Sequence, residues 1–297
     1  MYVHESDEYA ALFKRGNTKL ICPYIESFEF FSPAQQLKAL SDGFISFLAG
    51  PALKMDTMGR TTAANYECLL FDLDDTLYPL STGFNLACRR NIEGQIESLS
   101  IKFQAVGYEF DNDEFHAFVH GKLPYEKLKP DPVLRNLLLS MPQRKIIFTN
   151  ADQKHAMEVL GRLGLEDCFE GIICFETINP RLQPADNTDG IENNSFSSNQ
   201  RILCKPSLEA IETAIRIANV DPKKTIFFDD SARNIASAKA AGLHTVIVGS
   251  SVPVPPADHA LNSIHNIKEA IPEIWEGEGE QLEQVIQPAA VETAVLA

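Results

Sequence analysis

The stretch 69–79, LLFDLDDTLYP, constrains this chain more than any other. An apolar run ending at Phe71 carries the backbone directly into Asp72, Asp74 and Asp75, with Thr76 following at once. Carboxylates at the end of a buried strand must be neutralised by a cation, hydrogen-bonded or kept partly protonated, because an unpaired charge away from water is costly. A divalent metal is the simplest solution. In extended backbone, side chains at i and i+2 project from one side, so Asp72 and Asp74 are expected to face one reacting centre while Asp75 points elsewhere. One carboxylate can then attack while the other moves protons.

The same arrangement recurs downstream. After a first strand over 66–72, apolar runs at 145–148, 171–175, 225–228 and 245–248 predict further strands, separated by stretches with helical periodicity. The second run ends in Thr149 and Asn150 and the fourth in Asp229 and Asp230, while Lys205 stands just before a helix opened by Pro206 and Ser207. In that helix Leu208, Ile211, Ile215 and Ala218 are expected to face inward, and in the helix after Thr149, Met157, Leu160 and Leu163. Each residue also has a plain reading: Thr149 and Asn150 as helix caps, Lys205 as surface charge. Strands alternating with helices predict an α/β fold with a parallel sheet covered on both faces. Ligands bind such sheets beyond the carboxyl ends of the strands, where Asp72, Thr149 and Asp229 all fall.

The formal net charge of −15 argues against nucleic acid or an anionic membrane surface as the main partner, since both call for basic patches. The six cysteines lack the spacing of a zinc site or a disulfide framework, so a reducing compartment, cytoplasm or nucleus, is expected. No apolar stretch approaches the ~20 residues needed to span a bilayer. Residues 1–57 read as an N-terminal extension, partly helical or disordered, with one helix opening at Ser32 and Pro33. Residues 82–131 have helical patterning and form an insertion, 179–200 read as a flexible loop, and 275–297 as an acidic disordered tail.

Asp72-x-Asp74-x-Thr76 after an apolar strand, with Thr149, Lys205 and the pair Asp229 and Asp230 in that order, resembles the haloacid-dehalogenase superfamily over residues 66–249. Within it, FDLDDTLYP, LPYEKLKPD, IIFTNAD and FFDDSARNI look most like the pyrimidine 5′-nucleotidase branch, particularly plant-type members. The resemblance implies a Rossmann-like core over 66–81 and 132–250 with a small helical cap, 82–131, inserted after the first strand. It implies Asp72 as nucleophile and Asp74 as acid and base. Thr149, the Asn150 backbone and Lys205 would hold the phosphate. Mg²⁺, a hard cation suited to oxygen, would be bound by Asp72, the Asp74 carbonyl, Asp229 and Asp230.

The substrate implied is a small phosphomonoester, a pyrimidine nucleoside 5′-monophosphate in the first instance. A dehalogenase has no leaving alkoxide to protonate and does not need Asp74, which favours phosphate chemistry. A broad small-metabolite phosphatase, a sugar phosphomutase and a catalytically idle regulatory protein are the alternatives. His116 and His120 stand four apart on a predicted helix, a spacing that can share a metal. With no acidic third ligand in register, helix surface or cap packing is the expected role. The aromatic residues around them are expected to pack the cap on itself, and Arg89 and Arg90 to form a solvated face.

Overall fold

Four apolar residues, Cys68–Phe71, form β1 at the centre of a six-stranded, all-parallel sheet. The computed structural model describes residues 66–94, 112–180, 202–252 and 254–275. The expected extension 1–57, residues 95–111 of the insertion, 181–200 of the loop and the tail beyond Trp275 lie outside the described residues.

After β1 the described residues of the insertion include the helices α1, over residues 84–94, and α2 (Asn112–His120). They are followed by α3 (Pro132–Leu139), β2 (Arg144–Phe148), α4 (Gln153–Leu163), β3 (Gly171–Ile173) and the short α5 (Phe175–Ile178). The chain continues through α6 (Leu208–Ala218), β4 (Thr225–Asp229), α7 (Ala232–Ala240), β5 (His244–Val248), β6 (His259–Leu261) and α8 (Ile267–Ala270). The strand order is β3-β2-β1-β4-β5-β6, so the chain grows outward from β1 on one side, then returns beside it to grow the other way. This is the doubly wound, Rossmann-like α/β fold that the alternation of patterns predicts, and its reversal point lies at β1.

Strands buried on both faces read as continuous apolar runs. Leu69, Phe71, Ile147 and Phe228 enter one core cluster, where they meet Leu134 of α3 and Val159 and Leu160 of α4. Leu70, Phe148, Phe227 and Ile247 enter the other, against Ile211 and Ala214 of α6 and Ile235 of α7. The rings of Phe71 and Phe228 stack with centroids 4.6 Å apart on neighbouring strands. Burying side chains of this size contributes about 1.5–3 kcal/mol each. Register does the rest: Phe71 is level with Ile147 on β2 and Phe228 on β4, so the next residues of all three strands emerge together.

Several local expectations are corrected. β3 ends at Ile173 because Cys174 N-caps α5, its thiol and backbone N–H both meeting Thr177, so Phe175 is helical. Met157 and Leu208 are 59% and 43% exposed. The buried faces are His155, Ala156, Val159, Leu160 and Leu163 on α4, and Ala210, Ile211, Ala214 and Ala218 on α6, small residues letting each helix approach the sheet. Past residue 250 the chain adds β6, which the sequence reading missed, and sends Ile264, Ile267, Ile271 and Ile274 into the core. Pro132 opens α3, where Asp131 accepts from the Leu134 N–H at 2.9 Å, and Gly164 ends α4 at φ 67°.

Candidate active site

At the carboxyl end of β1 the Asp72 N–H still donates to Phe228 O across the sheet at 2.8 Å, which fixes the first carboxylate against β4. Its side chain meets Lys205, whose Nζ donates at 2.6 Å to Asp72 Oδ1, at 2.8 Å to Asp229 Oδ2 and at 2.8 Å to Phe148 O. Lys205 is 1% exposed and lies over the Phe148 and Phe227 rings, 5.0 and 5.3 Å from their centroids. Three separate strands thus converge on one buried ammonium. The plain reading of Lys205 as surface charge is excluded. Burial works against its charge, but Asp229 and Asp72 hold it charged, well above lysine's ordinary value.

Asn150 positions that lysine. Its side-chain amide donates to Lys205 O at 2.9 Å and accepts from the Lys205 N–H at 2.8 Å, so the 202–207 segment is tied across 55 residues to the end of β2. Thr149 is buried and its Oγ1 accepts from the Ala151 N–H at 3.1 Å. Asp229 accepts from Ser231 N–H at 2.8 Å and from Asn234 Nδ2, which reaches both carboxylate oxygens at 2.9 and 3.1 Å. Thr76 Oγ1 donates to Asp72 Oδ2 at 3.1 Å. Asn234 was not picked out in the sequence; its only signal there is a place one helical turn after an acidic strand end.

The carboxyl oxygens of Asp72, Asp229 and Asp230 lie within 4.8 Å of one another. Burial pushes the Asp72 carboxyl up, with Asp229 and Asp74 adding to the rise and Lys205 opposing it. Asp230 keeps solvent access, yet protein packed around it desolvates its carboxyl, and with Asp229, Asp72 and Asp75 raises it well above the ordinary carboxylate range. Asp75, in the left-handed region at φ 60°, is pushed up to about 7 by burial and then by Asp74 and Asp72. Its left-handed φ departs from the extended backbone on which the alternation of Asp72, Asp74 and Asp75 was expected. Several carboxylates against one ammonium, all offering oxygen, fit a hard divalent cation such as Mg²⁺.

Asp74 faces a different set of partners. Tyr78 OH donates to its Oδ1 at 2.5 Å, and His155 Nε2 lies 2.8 Å from the same oxygen. Burial would raise Asp74, but the charge of His155 and hydrogen bonds from His155 and Tyr78 hold its carboxyl at about 2. Burial likewise opposes a charge on His155, and Asp74 overcomes it and raises the imidazole above its ordinary value. His155 Nδ1 is 2.7 Å from Tyr125 Oη, so in the imidazolium form both ring N–H groups donate, one to Asp74 and one to Tyr125. Phe84 packs edge-on against Tyr78 and Tyr125, with centroids 5.3 and 5.6 Å away. None of Tyr78, Tyr125 and His155 was assigned a part in the chemistry from sequence.

His116 and His120 are buried rather than on a helix surface. The acidic partner missing from their own helix comes from Asp152, ahead of α4. Arg89 does lie on an exposed face, paired with Glu93 at 3.1 Å. Among the described residues, no helix is long and apolar enough to cross a membrane.

A family model described as haloacid dehalogenase-like hydrolase matches residues 66–242, more than half of the chain. Phosphate metabolism protein 8 of Saccharomyces cerevisiae is 28% identical in an alignment of 212 positions that covers 61% of this chain and 61% of that protein. The chain thus spans less than two thirds of that relative's length. Phosphorylated carbohydrates phosphatase of Thermotoga maritima is 24% identical in an alignment of 203 positions that covers 61% of this chain and 83% of that protein. Among solved structures, L-2-haloacid dehalogenase from Xanthobacter autotrophicus aligns at 14% identity over 72% of this chain and 100% of that one, with a TM-score of 0.45.

Proposed function

Because the chain belongs to the haloacid dehalogenase-like hydrolase family, we propose that it hydrolyses a phosphomonoester, with pyrimidine nucleoside 5′-monophosphates as the substrate class. The observation that carries the phosphatase reading is the bridge from Lys205 Nζ to Asp72 and Asp229, 2.6 and 2.8 Å away, beside the third carboxylate of Asp230. Asp74, held by His155 at 2.8 Å, supplies the acid and base that a leaving alkoxide needs.

In this reading an Asp72 oxygen attacks phosphorus, the bond to the leaving oxygen breaks, and an aspartyl-phosphate forms. The Asp74 and His155 pair shares one proton, which passes through the Asp74 carboxyl to the leaving oxygen. Asp74 then takes a proton from water as that water attacks the aspartyl-phosphate, releasing inorganic phosphate and restoring Asp72. Thr149, the Asn150 backbone and Lys205 orient the phosphoryl oxygens, since this chemistry depends mostly on positioning and charge stabilisation. Asp72, Asp229, Asp230 and the Asp74 carbonyl would hold Mg²⁺, which when bound offsets the repulsion between carboxylates and phosphate.

The insertion between β1 and β2 serves as a cap, in which Phe84 packs on Tyr125 and Tyr125 meets His155, the partner of Asp74. The free thiols of the five described cysteines support a reducing compartment, cytoplasm or nucleus. Phosphate release from UMP and CMP, set against hexose phosphates in the presence and absence of Mg²⁺, tests the reading. Preference for sugar phosphates would support instead the activity named for the Thermotoga maritima relative. No Mg²⁺-dependent release from any of them would reject both.

A further inference from the structure

A second cluster stands apart from the aspartates around Lys205. His116 and His120, one turn apart on α2, converge on the carboxylate of Asp152, and ligand atoms of all three lie within 4.8 Å of one another. We propose that His116, His120 and Asp152 form a site for one zinc-class transition cation that clasps the inserted helix α2 to the start of α4.

Asp152 supplies the most telling observation. It is the N-cap residue of α4, where an aspartate ordinarily accepts from the backbone of the first turn, yet its side chain makes no cap hydrogen bond. The N–H of Gln153, the first residue of α4, is taken by the Glu176 carboxylate at 3.0 and 3.2 Å. The Asp152 carboxylate is turned toward the histidines, touching His120 Nδ1 and standing 4.0 Å from His116 Nδ1. A simple hydrogen-bonded staple between α2 and α4 needs one imidazole; a second at 4.0 Å is too far to bond that oxygen but well placed to share a cation with it.

The chemistry of the donors selects the ion. Two imidazole nitrogens and one carboxylate oxygen suit zinc and its neighbours, whereas Mg²⁺ prefers oxygen alone. Ligand distances of about 2.0–2.2 Å put tetrahedral donor atoms roughly 3.3 Å apart, so modest rotamer changes close the present spacing. Burial favours the neutral imidazole that binds metal, moving His116 down to about 4. His155, stacked on His120 with centroids 4.3 Å apart, has both ring nitrogens committed to Asp74 and Tyr125. The fourth position therefore falls to water, and the clasp shares a wall with the partner of Asp74.

The test is titration of the full chain with Co²⁺ in excess Mg²⁺, read by visible absorption and by equilibrium dialysis. We expect one tightly held equivalent with a visible band, retained in Asp230→Asn and lost in His116→Gln and Asp152→Asn, each variant first checked by circular dichroism. No band in the unaltered protein overturns the proposal whatever the variants do. So does a band that survives in both His116→Gln and Asp152→Asn, or one lost in Asp230→Asn. The readout needs no substrate, so its failure and that of the phosphatase reading are separately visible.

Discussion

His155 Nε2 stands 2.8 Å from Asp74 Oδ1, joining the first turn of α4 to the loop after β1 across 81 residues. The pair holds one proton over a wide range, because the carboxyl is kept at about 2 while the imidazole is raised above its ordinary value. Replacing His155 by Gln removes the charge that depresses Asp74, so the carboxyl rises. We expect kcat to fall by about 10²-fold, the low end for general acid–base catalysis, and the basic limb of the kcat/KM profile, where the pair loses the proton it gives the leaving oxygen, to move to lower pH. A profile that does not move would show His155 to be packing only.

Lys205→Ala leaves Asp72 and Asp229 buried without their shared ammonium. Removing one member of a buried charge cluster costs about 3–5 kcal/mol. Urea unfolding should report that loss, with the midpoint partly restored by Mg²⁺. A change under 1 kcal/mol, on the order of an exposed pair, would contradict the network described.

Stability without metal should fall as pH rises. Asp75 has its carboxyl raised from 3.8 to about 7, and Asp72 is raised as well, so the folded state holds protons that the unfolded chain has released. The stabilising contribution is complete below 3.8 and is lost as pH climbs to about 7. In EDTA the Tm should drop by several degrees between pH 5 and pH 8, about 2–4 °C for each kcal/mol lost in a protein of this size. Mg²⁺ should raise Tm more at pH 8 than at pH 5; equal effects would argue against a cation among these carboxylates.

What the chain spelled out locally, sequence reading recovered. An apolar run followed by acids is a signal contained in a few neighbouring residues, and it located the carboxyl ends of β1 and β4 and the residues around Lys205. Contacts made across the fold left no such trace: Asp74 with His155, or His120 with Asp152, 32 residues apart. Helix faces were misjudged where the apolar pattern includes end residues such as Leu208, while the close approach to the sheet is made through alanines. β6 escaped because His259–Leu261 is too short to show a period. Asn150 was expected to act through its backbone; its side chain turns out to grip Lys205.

The account turns on Asp72 capturing the phosphoryl group. Incubation of the protein with a cleaved monoester labelled in its phosphoryl group, acid quench and peptide mapping measure that directly. The prediction is transient label on the peptide containing Asp72, with label and phosphate release both abolished in Asp72→Asn. Undiminished release by Asp72→Asn, or label on a different residue, would contradict it.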